Sequence, residues 1–187
     1  MKKISFIILL MFTSFIIGQN NFDAVKSIQD AEKFITNNPQ INAKLYTKYI
    51  SVDSLKFSLD TISEKSKIIE SNKVPFYRVS YIYLDGEKLK LDKIKKIQLK
   101  IRSDFNKGMS FVKLNKKYSM DGNVSKGGDL GWFAENQMVE EFVSGIKNKL
   151  KGDIFSLDIP SLNWYYVVLK THSNKEMIEL KILTVEE

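Results

Sequence analysis

The chain has 187 residues, with 29 Lys and Arg against 22 Asp and Glu and a formal net charge of +7. It contains no cysteine, which excludes disulfides, a thiol nucleophile and a lipid-modified N-terminal cysteine, and its single histidine argues against a zinc site or a Ser-His-Asp triad. A chain of this length is expected to hold one domain of ordinary size and a small extension.

Residues 1–18 have the pattern of a secretory signal peptide. Lys2 and Lys3 precede an apolar run that extends to Ile17, and this run is shorter than the about 20 residues that a membrane-spanning helix needs. We therefore expect cleavage near Gly18 and a periplasmic or secreted protein of the bacterial cell envelope, with no membrane span after cleavage. An uncleaved anchor is the alternative, because Ile16 is bulky for a position where cleavage sites have a small residue.

Residues 19–75 are predicted to form an N-terminal extension. Apolar residues recur there at three- and four-residue spacing, which predicts a helix over about residues 23–36; they are Phe22, Val25, Ile28, Ala31 and Ile35. A strand is expected over residues 45–52. Between Ser54 and Asn72 the alternating and the helical patterns conflict, so no element is assigned. Pro75 marks the expected boundary.

From Phe76 onward the pattern predicts strands and helices more clearly. Aromatic and β-branched residues at every second position predict a strand from Tyr77 to Asp85. Apolar residues at helical spacing predict a helix from Leu89 to Phe105. Two more helices and two more strands are expected over residues 110–117, 139–147, 154–159 and 164–171. This order predicts an α+β domain over residues 76–172, with a small, mainly antiparallel sheet flanked by helices, and a C-terminal tail over residues 173–187.

Lysines are concentrated between Lys88 and Lys117, on two of the predicted helices. They are interleaved with Leu, Ile and Phe, a pattern typical of a solvated helix face. The alternative is a nucleic-acid surface, which would require clustered arginines and exposed aromatic residues. We therefore expect no nucleic-acid partner.

A glycine-rich stretch over residues 127–133 reads Gly-Gly-Asp-Leu-Gly-Trp-Phe. It predicts a tight turn that brings large apolar side chains to one place, either a corner of the core or the wall of a pocket. Tyr118-Ser-Met-Asp121 precedes it, and Met138-Val-Glu-Glu-Phe142 follows it. In order, spacing and residue types, these segments resemble the central motif of the parvulin family of peptidyl-prolyl isomerases. The resemblance covers about residues 76–171 and implies a parvulin-like fold there.

The resemblance also implies a site. Leu130, Met138 and Phe142 would form an apolar cup for a proline ring. Asp121, with Ser119 nearby, would be the polar group beside the carbonyl of the isomerising bond. The alternatives are that the three apolar residues are ordinary core and that Asp121 only begins a turn.

The chain departs from the family at two positions. Parvulins typically carry two facing histidines on neighbouring strands at the floor of the site. Here Tyr81 takes the first place, and Tyr165 the second, or Tyr166 in a shifted alignment. A tyrosine hydroxyl both donates and accepts hydrogen bonds, but its ordinary pKa of about 10 keeps it from carrying protons near neutral pH. We expect the hydroxyls of Tyr81 and Tyr165 within direct or water-bridged reach of each other, of Ser119 or of Asp121.

These observations predict a peptidyl-prolyl cis-trans isomerase that acts on X–Pro bonds of exported proteins and assists their folding. Its expected catalytic residues are Asp121, Tyr81, Tyr165 and Ser119, and its expected partners are unfolded or extended polypeptides that contain proline. No metal or cofactor is expected, because the reaction only rotates a bond. The alternatives are a non-catalytic chaperone or peptide-binding module, and a domain that has kept only the scaffold.

Overall fold

The computed structural model describes residues 22–54 and 65–186, which form two compact units. The first unit contains the described residues up to Val74 and those from Glu176 onward, and the second spans Pro75–Lys175. The predicted signal peptide lies outside the described residues. Within the described ranges, no helix is both long and apolar enough to cross a bilayer.

Helices and strands are mixed along the described chain. In chain order they are α1 (Ile28–Asn37), β1 (Asn42–Ser51), β2 (Ser66–Tyr77), β3 (Val79–Asp85), α2 (Leu91–Asn106), α3 (Phe111–Tyr118), β4 (Phe133–Ala134), α4 (Glu140–Ile146), β5 (Ile154–Ile159), β6 (Trp164–Lys170) and β7 (Lys175–Glu186). The strand pairs β1–β7, β2–β4, β3–β6 and β5–β6 are all antiparallel. The predicted α+β class is therefore confirmed.

The first unit packs α1 against strands. β7 lies between β1 and β2, and β1 pairs with it from Asn42 opposite Glu186 to Ser51 opposite Met177. α1 begins later than residue 23, because the side chain of Ser27 caps it by accepting a hydrogen bond from a backbone N–H at 3.1 Å. The residues predicted as a C-terminal tail, 173–187, contain β7. Its buried side chains are Ile178, Glu179, Leu180, Ile182 and Leu183.

The second unit is built around a three-stranded sheet in the order β3-β6-β5. β6 is the central strand, since Tyr166 lies opposite Tyr83 on one side and opposite Leu157 on the other. Side chains alternate along a strand. Val167 and Val168 therefore face opposite sides of the sheet, and they belong to different core clusters.

The two faces of this sheet carry different helices. α2 and α3 cover one face, where Ile101 and Leu114 are fully buried against Ile82 and Val167. α4 packs on the other face, in the cluster that contains Phe142. The short strand β4 pairs with the end of β2 on that side of the unit. The face with α4 is the one that bears the candidate site.

Candidate functional site

The glycine-rich turn runs along the outer edge of β3. The backbone N–H of Tyr81 donates to the carbonyl oxygen of Gly128 at 3.0 Å, and the N–H of Leu130 donates to that of Val79 at 3.1 Å. Gly128 has a φ of +79°, and a Cβ there would lie 2.1 Å from the carbonyl oxygen of Tyr81. Only glycine permits this approach. The turn therefore holds Leu130 at a fixed place beside the sheet.

An ion pair fastens the same turn. The guanidinium of Arg78 donates to both carboxylate oxygens of Asp129, at 3.1 and 2.6 Å, and the N–H of Gly131 donates to the same carboxylate at 3.0 Å. The hydrogen bond from Arg78 lowers the pKa of Asp129 from its ordinary value, although burial acts in the opposite direction. Asp129 is not among the residues that line the cavity described next. It is a structural residue of the motif.

A cavity of about 620 Å³ opens on the α4 face of the sheet. Leu130, Met138 and Phe142, the three residues expected to form the proline cup, all line it. Phe142 is 5% exposed, and its ring meets the ring of Tyr166 edge-on at 5.4 Å. The remaining lining residues are Tyr81, Tyr83, Asp121, Asn136, Gln137, Val139, Trp164 and Tyr166. Leu130, Met138 and Phe142 therefore share one cavity.

The polar side of the cavity is centred on Asp121. The hydroxyl of Tyr81 donates to one of its carboxylate oxygens, and the hydroxyl of Ser119 donates to the other at 2.9 Å. Ser119 also accepts the N–H of Tyr83 at 3.0 Å, and the N–H of Met120 donates to the carbonyl oxygen of Tyr83 at 2.9 Å. Residues 119–121 therefore lie beside the same edge of β3 as the glycine-rich turn, but closer to the C-terminal end of the strand. Ser119 donates to Asp121 and is not itself a lining residue.

The second tyrosine of the site is Tyr166. Its ring lies 5.7 Å from the ring of Tyr81 and 5.5 Å from that of Tyr83. Burial raises the pKa of Tyr166 to about 12, and the nearby Tyr83 and Asp121 add to the effect. The hydroxyl therefore stays protonated at neutral pH. Tyr166 can shape the floor of the cavity and donate a hydrogen bond, but it cannot supply a base there.

The expectation that Tyr165 lies at the site is wrong. Tyr165 is buried with Leu84 and Ile94, on the face of the sheet that α2 and α3 cover. Consecutive residues of a strand point to opposite faces, so only one of two neighbouring tyrosines can reach the cavity. Of the two alignments, the one through Tyr166 names a tyrosine that lines the cavity.

Sequence reasoning missed several lining residues. Tyr83 could have been found, because it lies two positions after Tyr81 and so shares its face of the strand. Gln137 accepts the N–H of Ala134 at 2.7 Å through its side chain, which fixes the loop before Met138. No pattern in the sequence marked Asn136, Gln137 or Trp164. Among the described residues, no group of three or more acidic, His or Cys side chains could hold a metal ion.

Comparison with protein families gives one match. The family model described as the PPIC-type PPIase domain matches residues 60–168, more than half of the chain. The matched stretch contains β3, the glycine-rich turn and all the lining residues of the cavity.

Individual relatives point to foldases. The foldase protein PrsA of Geobacillus kaustophilus is 33% identical over 150 residues, which are 79% of this chain and 48% of that protein. The foldase protein PrsA of Bacillus subtilis is 29% identical over 142 residues, 76% of this chain and 44% of that protein. The crystal structure of the latter superposes with a TM-score of 0.43 and 31% identity, over 52% of this chain and 35% of that one. This chain thus spans about half the length of the curated relatives it matches.

Proposed function

The chain belongs to the PPIC-type PPIase family, and from this premise we propose that it interconverts the cis and trans forms of X–Pro bonds in exported polypeptides. Rotation about such a bond has a barrier of roughly 18–20 kcal/mol, because twisting destroys the resonance of the amide. No covalent bond breaks. The catalyst therefore needs only to bind the twisted bond more tightly than the planar one.

The observation that carries the proposal is the position of Asp121 at the rim of an apolar cup. Leu130, Met138 and Phe142 offer a proline ring three apolar walls in a cavity of about 620 Å³. That volume is in the range of sites that enclose a small ligand. A proline seated there would have the carbonyl of the preceding residue near Asp121.

The polar network suits rotation of the bond. In the planar amide the carbonyl oxygen carries partial negative charge, and hydrogen bonds from water stabilise that form. An apolar cup removes this water, and a carboxylate beside the oxygen disfavours the charge on it, so both effects favour the twisted bond. Tyr81 and Ser119 hold Asp121 in place through its two oxygens. This arrangement transfers no proton, which agrees with tyrosines at the two family histidine positions.

The second candidate function is a non-catalytic module that binds proline-containing segments. The feature in its favour is that Tyr81 and Tyr166 line the cavity where the family resemblance implies two histidines. Binding in the cavity would then hold an unfolded client without accelerating its isomerisation. The two candidates share the cup and differ only in the rate of exchange.

The clients are proposed to be unfolded or extended polypeptides outside the cytoplasm. The support is the signal-like pattern of residues 1–18 and the relatives named as foldases. Amino-terminal sequencing of protein recovered from the envelope or the medium of an expressing bacterium tests the export. A first residue near Gln19 is expected, and material that still begins at Met1 would contradict it.

NMR exchange spectroscopy on a short peptide with one X–Pro bond tests the function. Substoichiometric protein should produce cis-trans exchange cross-peaks that the peptide alone lacks, because the uncatalysed step takes tens to hundreds of seconds. Binding that broadens the peptide resonances without exchange would support the non-catalytic module instead. Absence of both binding and exchange would leave only the scaffold and refute the proposal.

Matched methionine variants connect the activity to the cavity. Met138→Ala removes a half-buried cup residue, whereas Met109→Ala removes an exposed methionine between α2 and α3. We expect the first variant to lower the exchange rate about tenfold or more, from the loss of apolar contact, and the second to change it less than about twofold. Equal rates in the two variants would show that the proline does not sit in this cup.

A further inference from the structure

The outward faces of α2 and α3 carry positive charge that the described part of the chain does not neutralise. The two helices hold eight Lys and Arg residues but only two carboxylates, Asp92 and Asp104. Lys95 pairs with Asp158 and Lys100 with Asp104. Among the described residues the other cations of these helices form no ion pair; they are Lys93, Lys96, Arg102, Lys113, Lys116 and Lys117.

All six of these side chains are exposed. α2 buries Ile94, Gln98 and Ile101, and α3 buries Phe111 and Leu114, so the opposite sides of both helices meet solvent. Because α2 and α3 lie on the same face of one sheet, their charges add into a single field. We call this surface the basic helical face.

Apolar side chains project from the same surface. Leu99 is 65% exposed, and on the helix its neighbours three positions away are Lys96 and Arg102. Val112 of α3 is 49% exposed. A bilayer surface suits this combination of charges with an apolar side chain, because lysines can meet the headgroups while Leu99 enters the boundary with the acyl chains.

We propose that the basic helical face docks on the surface of a bilayer rich in anionic phospholipid. Lysines are suited to this contact, since each supplies a point charge that needs no fixed geometry and is attracted to an anionic leaflet. The cavity opens on the opposite face of the β3-β6-β5 sheet. A docked unit therefore keeps its cavity turned toward the solution. This inference does not depend on isomerase activity.

Vesicle co-sedimentation tests the docking on residues 19–187, the chain expected after signal cleavage. Vesicles that mix phosphatidylglycerol with phosphatidylcholine should bind the protein, and vesicles of phosphatidylcholine alone should not. Binding should vanish at about 1 M salt, where the Debye length is only about 3 Å. Equal binding to the two kinds of vesicle, or binding that survives the salt, would overturn the proposal.

Two triple variants with the same change in net charge separate a specific face from overall charge. Lys96→Gln, Arg102→Gln and Lys116→Gln together neutralise the basic helical face. Lys147→Gln, Lys149→Gln and Lys151→Gln together neutralise exposed lysines around the loop after α4. We expect the first triple to lower the partition coefficient at least about tenfold and the second less than about threefold. Equal losses would show that only net charge matters, which would refute the assigned face.

A leucine variant separates a bilayer from a soluble polyanion. Leu99→Ser keeps every charge and should weaken vesicle binding about threefold or more, because one apolar side chain no longer enters the interface. Its binding to polyphosphate should match that of the unchanged protein. If the protein bound polyphosphate but not the anionic vesicles, or if Leu99→Ser bound vesicles normally, the surface would belong to a polyanion and not to lipid. Circular dichroism melts confirm that each variant is folded.

Discussion

At the scale of single residues, the most frequent side chain in the lining of the cavity is tyrosine, at positions 81, 83 and 166. The hydroxyl of Tyr81 gives its proton to a hydrogen bond with Asp121, and Tyr166 has a pKa of about 12 because it is buried. The phenol of Tyr166 therefore does not ionise near neutral pH. His172, the one histidine of the chain, contacts Trp132 at 5.4 Å and is not a lining residue. The site therefore lacks the titrating imidazole that a histidine would bring.

A flat pH profile follows from this protonation pattern. The exchange rate of a bound X–Pro peptide should change less than about twofold between about pH 6 and pH 9, since a histidine would titrate near 6.5 and no histidine is among the residues that line the cavity. NMR exchange measured across that range, with a peptide that has no titrating side chain, checks the expectation. A sigmoidal rise or fall centred near neutrality would show that a group outside this description controls the rate.

Phenylalanine substitutions test which tyrosines belong to the site. Tyr81→Phe removes the hydrogen bond to Asp121 and should lower kcat/KM about threefold to tenfold, as expected for loss of one such bond. Tyr165→Phe is the matched control on the opposite face of the sheet, and it should leave kcat/KM within about twofold. If Tyr165→Phe had the larger effect on the peptide exchange rate, the face assignment of β6 would be wrong.

The residues of the site differ in how far the sequence could predict them. Leu130, Met138 and Phe142 line one cavity, as the motif predicted, because all three belong to a motif whose order and spacing can be recognised in the sequence. The prediction that Tyr165 lies at the site was wrong, because an alignment that is shifted by one residue along a strand selects a side chain on the opposite face of the sheet. Asn136 and Gln137 were missed because a loop places them, and a loop has no periodic pattern. The binding roles of all these residues stay predictions.

At the scale of elements, the glycine-rich turn lies so close to β3 that position 128 has no room for a side chain. Gly128→Ala would place a Cβ 2.1 Å from the backbone carbonyl of Tyr81, at a φ of +79°. Gly131→Ala is the matched control, since its φ is +71° and no atom lies within 4 Å of the added Cβ. We expect the control to lose about 1–2 kcal/mol of unfolding free energy from backbone strain alone, and Gly128→Ala to lose at least about 2 kcal/mol more. Urea unfolding of both variants measures the difference, and equal losses would contradict the close approach.

The ion pair that fastens this turn makes its stability depend on pH. The pKa of Asp129 is lower in the folded protein than its ordinary value of 3.8, chiefly because Arg78 donates to it. The stability from this group is therefore present above about pH 4 and is lost as the pH falls through the lowered pKa. Asp129→Asn should cost about 1 kcal/mol at pH 7, since both partners are about one-third exposed. The difference in unfolding free energy between Asp129→Asn and the unchanged protein, measured by urea unfolding, should become smaller toward pH 2. A difference that does not change with pH would contradict the ion pair.

The elements also show where sequence patterns lose information. β3, α3 and β6 lie close to their predicted positions, because each has a clear apolar period and a local boundary. β7 was predicted as a tail, although Ile178, Leu180 and Ile182 alternate. It lies between β1 and β2, and in the pairing with β1 its Glu186 lies opposite Asn42, which is far away in the sequence. Because these partners are so distant in sequence, no pattern within residues 173–187 alone shows that the segment will be paired in a sheet.

At the scale of the whole molecule, the described chain divides into two units and not into a domain with a short extension. The first unit takes strands from both ends of the described chain, whereas the second is continuous from Pro75 to Lys175. The continuous unit contains the complete β3-β6-β5 sheet, both of its helix-covered faces and every residue that lines the cavity. Its length of about 100 residues is typical of an independent domain.

The fragment Pro75–Lys175 should therefore fold and act by itself. Its core clusters are made from its own residues, and we expect one cooperative thermal transition and a peptide exchange rate within about threefold of the longer chain.

A fragment that ends at Leu162 is the control. It lacks β6, the strand that pairs with both β3 and β5, so it loses every main-chain contact of the three-stranded sheet and should be unfolded. Calorimetry and NMR exchange spectroscopy on the two fragments decide the matter. If Pro75–Lys175 were unfolded, or folded but inactive while the longer chain was active, the cavity would depend on residues outside this unit.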